Sequence, residues 1–148
     1  MKLDVAIAEV RAAEIAVADA LDAVGARHEG DHDVVHMTRT LRRLADANLE
    51  ALAAVAERSG ATGDPDGASS APPERPPVPG LELLHDLRRL HLRYAEASID
   101  WVLLGQGAQA AKDAELLDVV SRCHAQTLRG LKWTVTRLKE AAPQALTS

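Results

Sequence analysis

Residues 3–28 read LDVAIAEVRAAEIAVADALDAVGARH, and this stretch decides the fold class. Its inward positions repeat with alternating steps of four and three residues, the spacing of one face of an amphipathic helix. These positions are Leu3, Ile7, Val10, Glu14, Val17, Leu21, Val24 and His28. The helix should end near Glu29, because Gly30 suits the position after a helix and Asp31 suits the cap of the next one.

The same periodicity predicts three further helices. Helix two covers residues 31–58, helix three covers residues 81–104, and helix four begins at an Asp113 cap. The expected ends are Gly105 and Gly107 for helix three and Pro143 for helix four. The short join between the first two helices predicts an antiparallel hairpin, and the second half of the chain repeats this plan.

Residues 60–79, GATGDPDGASSAPPERPPVP, connect helices two and three. This segment has almost nothing to bury, so it should be extended or disordered. It is long enough to run the length of a helix, which would make helices two and three parallel; a slack loop would instead permit simple up-and-down order. The prediction is an all-α chain whose residues 1–148 form a single four-helix-bundle domain of two antiparallel hairpins.

Composition limits what such a bundle does. The apolar residues make up 47% of the 148, without Phe, and the net charge of -5 would repel nucleic acid and anionic membranes. No apolar run approaches the ~18 residues that cross a bilayer. The lone Cys123 forms no internal disulfide and residues 1–4 lack the apolar core of a signal peptide, so the expected location is cytoplasmic.

Three polar residues on the predicted inner faces form a candidate metal site. Glu14, His91 and His124 lie near the middles of three different helices, so they could meet at one height in the bundle. One carboxylate and two imidazoles suit Fe, Zn or Mn. In the alternative, Glu14 reaches solvent, His91 bonds a backbone group or the Ser98 hydroxyl, and His124 packs beside Tyr94. Heme ligation by the two histidines is less consistent with a nearby carboxylate.

Two helical hairpins joined by a long segment resemble the ferritin-like superfamily, whose hairpins each supply a Glu and a Glu-x-x-His. The resemblance implies a long crossover between helices two and three, with Glu14 at the first Glu position and His124 at the final His. The other ligand positions hold Ser121, Ala45, Asn48, and either His91 or Tyr94. Two of six ligands argue against a di-iron oxidase, and leave a mononuclear site or a degenerate, structural relative.

A second candidate metal site lies at the first hairpin tip. His28, His32 and His36 occur within nine residues, and the last two are one helical turn apart. On helix two, His32 and His36 point away from the apolar stripe, so the site would be exposed unless another subunit completed it. The alternative is a solvated histidine-rich turn.

Helix four carries a candidate interface. Trp133 lies off the inward stripe between Arg129 and Arg137, as the anchor residues of many protein interfaces do, which predicts a homodimer. Alternatively, Trp133 fills a groove within its own chain. Because no nucleotide-binding loop, catalytic triad or paired-cysteine motif occurs, the expected function is non-catalytic and acts through self-association or a protein partner. The alternative is a metal-binding, ferritin-like bundle.

Overall fold

The computed structural model describes residues 2–59 and 78–148, which form four α-helices. The helices are α1 (Leu3–Arg27), α2 (His32–Ser59), α3 (Glu82–Ala110) and α4 (Ala114–Thr147). No strand occurs in the described ranges, which confirms the all-α class and the four-helix bundle. None of these helices is long and apolar enough to cross a membrane.

Two aspartates cap helices as the sequence predicts. Oδ1 of Asp31 accepts a hydrogen bond from the backbone N–H of Val34 (3.2 Å), and Oδ1 of Asp113 accepts one from Leu116 (3.1 Å). Each carboxylate serves as partner for an N–H that the first turn of a helix leaves unpaired. The short turns before α2 and α4 then join antiparallel helices into two hairpins.

The predicted ends of helices three and four are wrong. α3 continues through Gly105 and Gly107 to Ala110, and α4 continues past Pro143 to Thr147. Gly105 is buried against Val120, so the close approach of two helices offsets its low helix propensity. Pro143 lies in the last turns, where the carbonyl that loses its N–H partner belongs to an exposed residue and is accessible to water.

The helix directions decide the topology that the sequence leaves open. α1 packs against α2 and α3, whereas α4 packs against α3 and, less extensively, α2. The side chains of Arg27 and Asp86 meet at one end of the bundle, and those of Arg58 and Asp113 meet at the other. α2 and α3 therefore run parallel and occupy diagonal corners of the bundle. The end of α2 and the start of α3 lie at opposite ends of the bundle. The predicted extended connector falls almost entirely on residues 60–77, outside the described part of the chain.

The core consists of two adjoining clusters along the bundle. One surrounds Trp101, and the other contains Leu21 and Leu90. On α1 the predicted stripe is buried from Ile7 to Val24. Glu14 lies on the same stripe, near the junction of the two clusters, and is the most informative polar residue in the core.

Candidate functional site

All four helices contribute to one buried polar cluster around Glu14. The side chain of Glu14 is 1% exposed, and its Oε1 accepts three hydrogen bonds. The donors are Trp101 Nε1 on α3 (2.7 Å), Thr127 Oγ1 on α4 (2.9 Å) and Asn48 Nδ2 on α2 (3.4 Å). A single acceptor atom therefore links the middle of α1 to each of the other helices.

Burial governs the ionisation of the groups in this cluster. It raises the pKa of Glu14, although the hydrogen bonds from Trp101, Thr127 and Asn48 act in the opposite direction. Burial, followed by the nearby Glu14 charge, also raises the pKa of Cys123 to about 11. The thiol is thus protonated at neutral pH and is not an activated nucleophile.

The cluster has no room for a substrate. The crevice beside Glu14 and Thr127 contains no space for a water molecule. The amide of Asn48 is also used within the chain, since Nδ2 lies 3.3 Å from the backbone oxygen of Cys123. These groups are therefore suited to holding helices in register, and not to binding a ligand.

The structure does not bring Glu14, His91 and His124, the predicted metal ligands, together into one site. Nδ1 of His91 lies 2.8 Å from Thr134 Oγ1, and Nε2 of His124 lies 2.9 Å from Ser98 Oγ. Both imidazoles are only partly buried, and burial lowers the pKa of His124. Among the described residues, no group of three His, Cys, Asp or Glu side chains could hold a metal ion.

On α3 and α4 the buried stripe lies one residue earlier than predicted at the histidine positions. The buried positions of α3 include Leu90 and Ala97, each one residue before a predicted polar position, and α4 buries Cys123 instead of His124. Because adjacent helix residues point about 100° apart, both imidazoles turn from the bundle axis to the edge of the α3–α4 contact. There each finds a hydroxyl partner.

The second predicted metal site, His28, His32 and His36, is also not formed. Nε2 of His28 lies 2.7 Å from Oδ2 of Asp86 on α3, while His32 and His36 are exposed. Oδ1 of Asp86 also accepts a hydrogen bond from Arg27 (3.0 Å). The sequence reasoning missed Asp86 because its partners lie 58 and 59 residues away, and no local pattern reports such a contact.

All three predicted interface residues make contacts within their own chain, and two of them contact other parts of the bundle. Trp133 is partly buried against the core. Arg137 is only 17% exposed, and its Nη2 lies 2.7 Å from Oδ2 of the cap residue Asp31. Arg129 is exposed and donates to Gln126 Oε1 (3.2 Å). Trp133 and Arg137 thus join α4 to neighbouring parts of the bundle.

The structure instead leaves an apolar surface on the outside of the α3–α4 hairpin. We call this surface the hairpin face; it consists of Leu92, Ile99, Val102, Leu103, Leu117 and Leu128. The most exposed are Ile99 (61%) and Leu103 (57%). Val102 and Leu128 follow Ser98 and His124 by one turn, so they lie on either side of that hydrogen bond.

A sequence signal for the hairpin face was present. Leu92, Ile99 and Leu103 are separated by seven and four residues, which defines a second apolar stripe on helix three.

Comparison of the chain with protein-family models, with curated proteins and with solved structures finds no match. The function is therefore inferred from the chain's own residues.

Proposed function

We propose that this protein is a non-catalytic helical bundle that acts through self-association, forming a homodimer through the hairpin face. The observation that carries the proposal is the apolar stripe of α3, where Leu92, Ile99 and Leu103 are 43%, 61% and 57% exposed. Contiguous apolar patches of more than a few hundred Å² are rare on monomers and mark association sites.

The shape of the surface supports a second copy as its occupant. α3 and α4 are two long antiparallel helices, so they present an extended and nearly straight face. Two such faces can pack on each other around a two-fold axis, as in the symmetric interfaces of most homodimers. The inward-directed bonding of Glu14 supports the non-catalytic part of the proposal, since its contacts are with the chain itself.

The proposal includes a relationship of architecture to ferritin-like bundles. The parallel arrangement of α2 and α3 supports it, because a long crossover produces that order. The core residue Glu14 bonds to Trp101 and Thr127, which supports a structural relative without a metal centre. The buried, protonated thiol of Cys123 suits a reducing compartment, and we propose the cytoplasm.

Replacing Ile99 by aspartate is expected to raise the dimer dissociation constant at least about thirtyfold. A symmetric dimer contains this residue twice, and roughly this loss is expected when two buried anchor side chains are replaced by charged ones. Light scattering after size exclusion, over roughly a hundredfold range of concentration, measures it. Val5→Asp is the matched control, because Val5 is 54% exposed on α1, outside the hairpin face. A wild-type protein that stays monomeric at every concentration would refute the proposal.

The same measurement separates the hairpin face from the surface around Trp133. Trp133→Ala is expected to lower the melting temperature, because the indole packs against the core, while leaving the dimer dissociation constant within about threefold. If Trp133→Ala abolished dimerisation while Ile99→Asp did not, the interface would lie on the other side of α4.

A further inference from the structure

Charged side chains of opposite sign border the hairpin face. Beside α3 lies an acidic edge, Glu96 and Asp100, which faces α1 because the charge of Glu9 acts on Asp100. Beside α4 lies a basic edge, Arg122 and Arg129, in which Arg122 is paired with Asp118 of its own helix (3.1 Å) and Arg129 has no carboxylate partner among the described residues. Arg129 bonds to Gln126, which lines the crevice next to α2, so the basic edge lies on the side away from α3.

Negative charge is crowded along the acidic edge. Burial, and then the charges of Glu9 and Glu96, raise the pKa of Asp100 to about 6. Arg93 offsets part of this charge, with its Nη1 3.7 Å from Glu96 Oε2. A further cation beside Glu96 and Asp100 would therefore be favourable.

The two edges lie at matching heights along the bundle. Within the antiparallel α3–α4 pair, the side chain of His91 meets Thr134 and that of Ser98 meets His124. Because the two helices are antiparallel, residue numbers rise along one helix while they fall along the other. Two residues at equal height therefore have numbers with nearly the same sum, and Glu96 lies level with Arg129. By the same count, Asp100 lies near the height of Arg122.

We propose that the homodimer is formed with α3 of each protomer packed antiparallel on α4 of its partner, about a two-fold axis parallel to the helices, so that Glu96 faces Arg129 of the partner subunit. This arrangement rests on the self-association proposed above. It places each acidic edge on a basic edge. The other face-to-face arrangement, α3 on α3, places the two acidic edges together, and like charges across an interface disfavour association.

Side-chain size favours the same arrangement. The outward side of α3 carries the large residues Ile99 and Leu103, whereas α4 carries the small, exposed residues Ser121 and Ala125 at similar heights. Large residues on one helix fit against small residues on the other, which permits close packing of the two helices. An α3–α3 contact would instead place large side chains on large ones.

Charge reversal tests the arrangement. Glu96→Arg and Arg129→Glu are each expected to weaken the homodimer about tenfold, because each reverses two ion pairs per dimer. An equimolar mixture of the two variants is expected to associate within about threefold of wild type, since one pair then forms with exchanged signs and the other is the wild-type Glu96–Arg129 pair. Sedimentation equilibrium at low salt measures the dissociation constants, and circular dichroism checks that each variant is folded.

The outcomes separate this arrangement from the proposed function. If Ile99→Asp abolishes the dimer but neither charge reversal changes it, the hairpin face is the interface and the α3-on-α4 arrangement is wrong. If Glu96→Arg strengthens the dimer, α3 lies on α3, which also overturns the arrangement. A monomeric wild type refutes both proposals. Recovery in the mixture but not in either variant alone supports the arrangement.

Discussion

Glu14→Ala is expected to destabilise the protein by about 3 kcal/mol, because the substitution opens a cavity in the core and removes the acceptor that three buried donors share, although Asn48 and Thr127 keep the Cys123 carbonyl within reach. These donors are Trp101 Nε1, Thr127 Oγ1 and Asn48 Nδ2. In a chain of this size the change corresponds to a fall of about 10 °C in melting temperature. Differential scanning calorimetry or urea unfolding measures it.

Asp19→Ala is the matched control for Glu14→Ala, because Asp19 is an exposed acidic residue on the same helix. Its effect should stay within about 0.5 kcal/mol. Equal effects of the two substitutions would show that the hydrogen bonds to Glu14 do not contribute to the free energy of unfolding.

Glu14→Gln separates the hydrogen bonds of Glu14 from its charge. The folded-state pKa of Glu14 is raised, so the folded protein holds the proton more tightly than the unfolded chain. This contribution to stability is present below the unfolded value of 4.5 and is lost as the pH rises through the folded-state pKa. The stability of wild type relative to Glu14→Gln should therefore decrease over that range.

Measurement of unfolding free energies at a series of pH values tests this prediction. Asp100 contributes in the same direction, since its pKa is raised to about 6, but both proteins contain it, and their difference isolates Glu14. Parallel pH profiles for wild type and Glu14→Gln would contradict the raised pKa.

Gly130→Ala is expected to destabilise the protein by roughly 3 kcal/mol, although alanine is ordinarily the better helix former by about 1 kcal/mol. A Cβ atom at this buried position would overlap the aromatic ring of Tyr94 on α3. Tyr94 is itself buried in the core, so the ring has little space into which it can move. Urea unfolding monitored by circular dichroism measures the loss.

The control for Gly130→Ala is Gly30→Ala, since a Cβ at Gly30 meets no atom within 4 Å. This substitution should be close to neutral. A double variant that combines Gly130→Ala with Tyr94→Ala should lose less stability than the two separate losses combined, because removing the ring removes the overlap. Additive losses would show that the overlap is relieved in another way.

The inward-facing side of a helix was predicted correctly for α1 but only in part for α3, and the reason is physical. On α1 the inward stripe from Ile7 to Val24 is confirmed, because the opposite side carries only short or charged residues apart from Val5 and Ile15. α3 is apolar on two sides, so periodicity alone does not determine its rotation. This ambiguity led the prediction to place His91 on the inner face of the bundle, and it concealed the hairpin face.

The sequence by itself determined the four helices, the two hairpins and the aspartate caps. These features depend on periodicity and on contacts between residues a few positions apart. Only the tertiary structure decided the rotation of α3 and α4, the parallel arrangement of α2 and α3, and the helix that continues through Gly105. Those features depend on packing between distant segments, where the size of one side chain limits the approach of another helix. The partners of His91, His124 and Asp86 were settled in the same way, by side chains that come close only after folding.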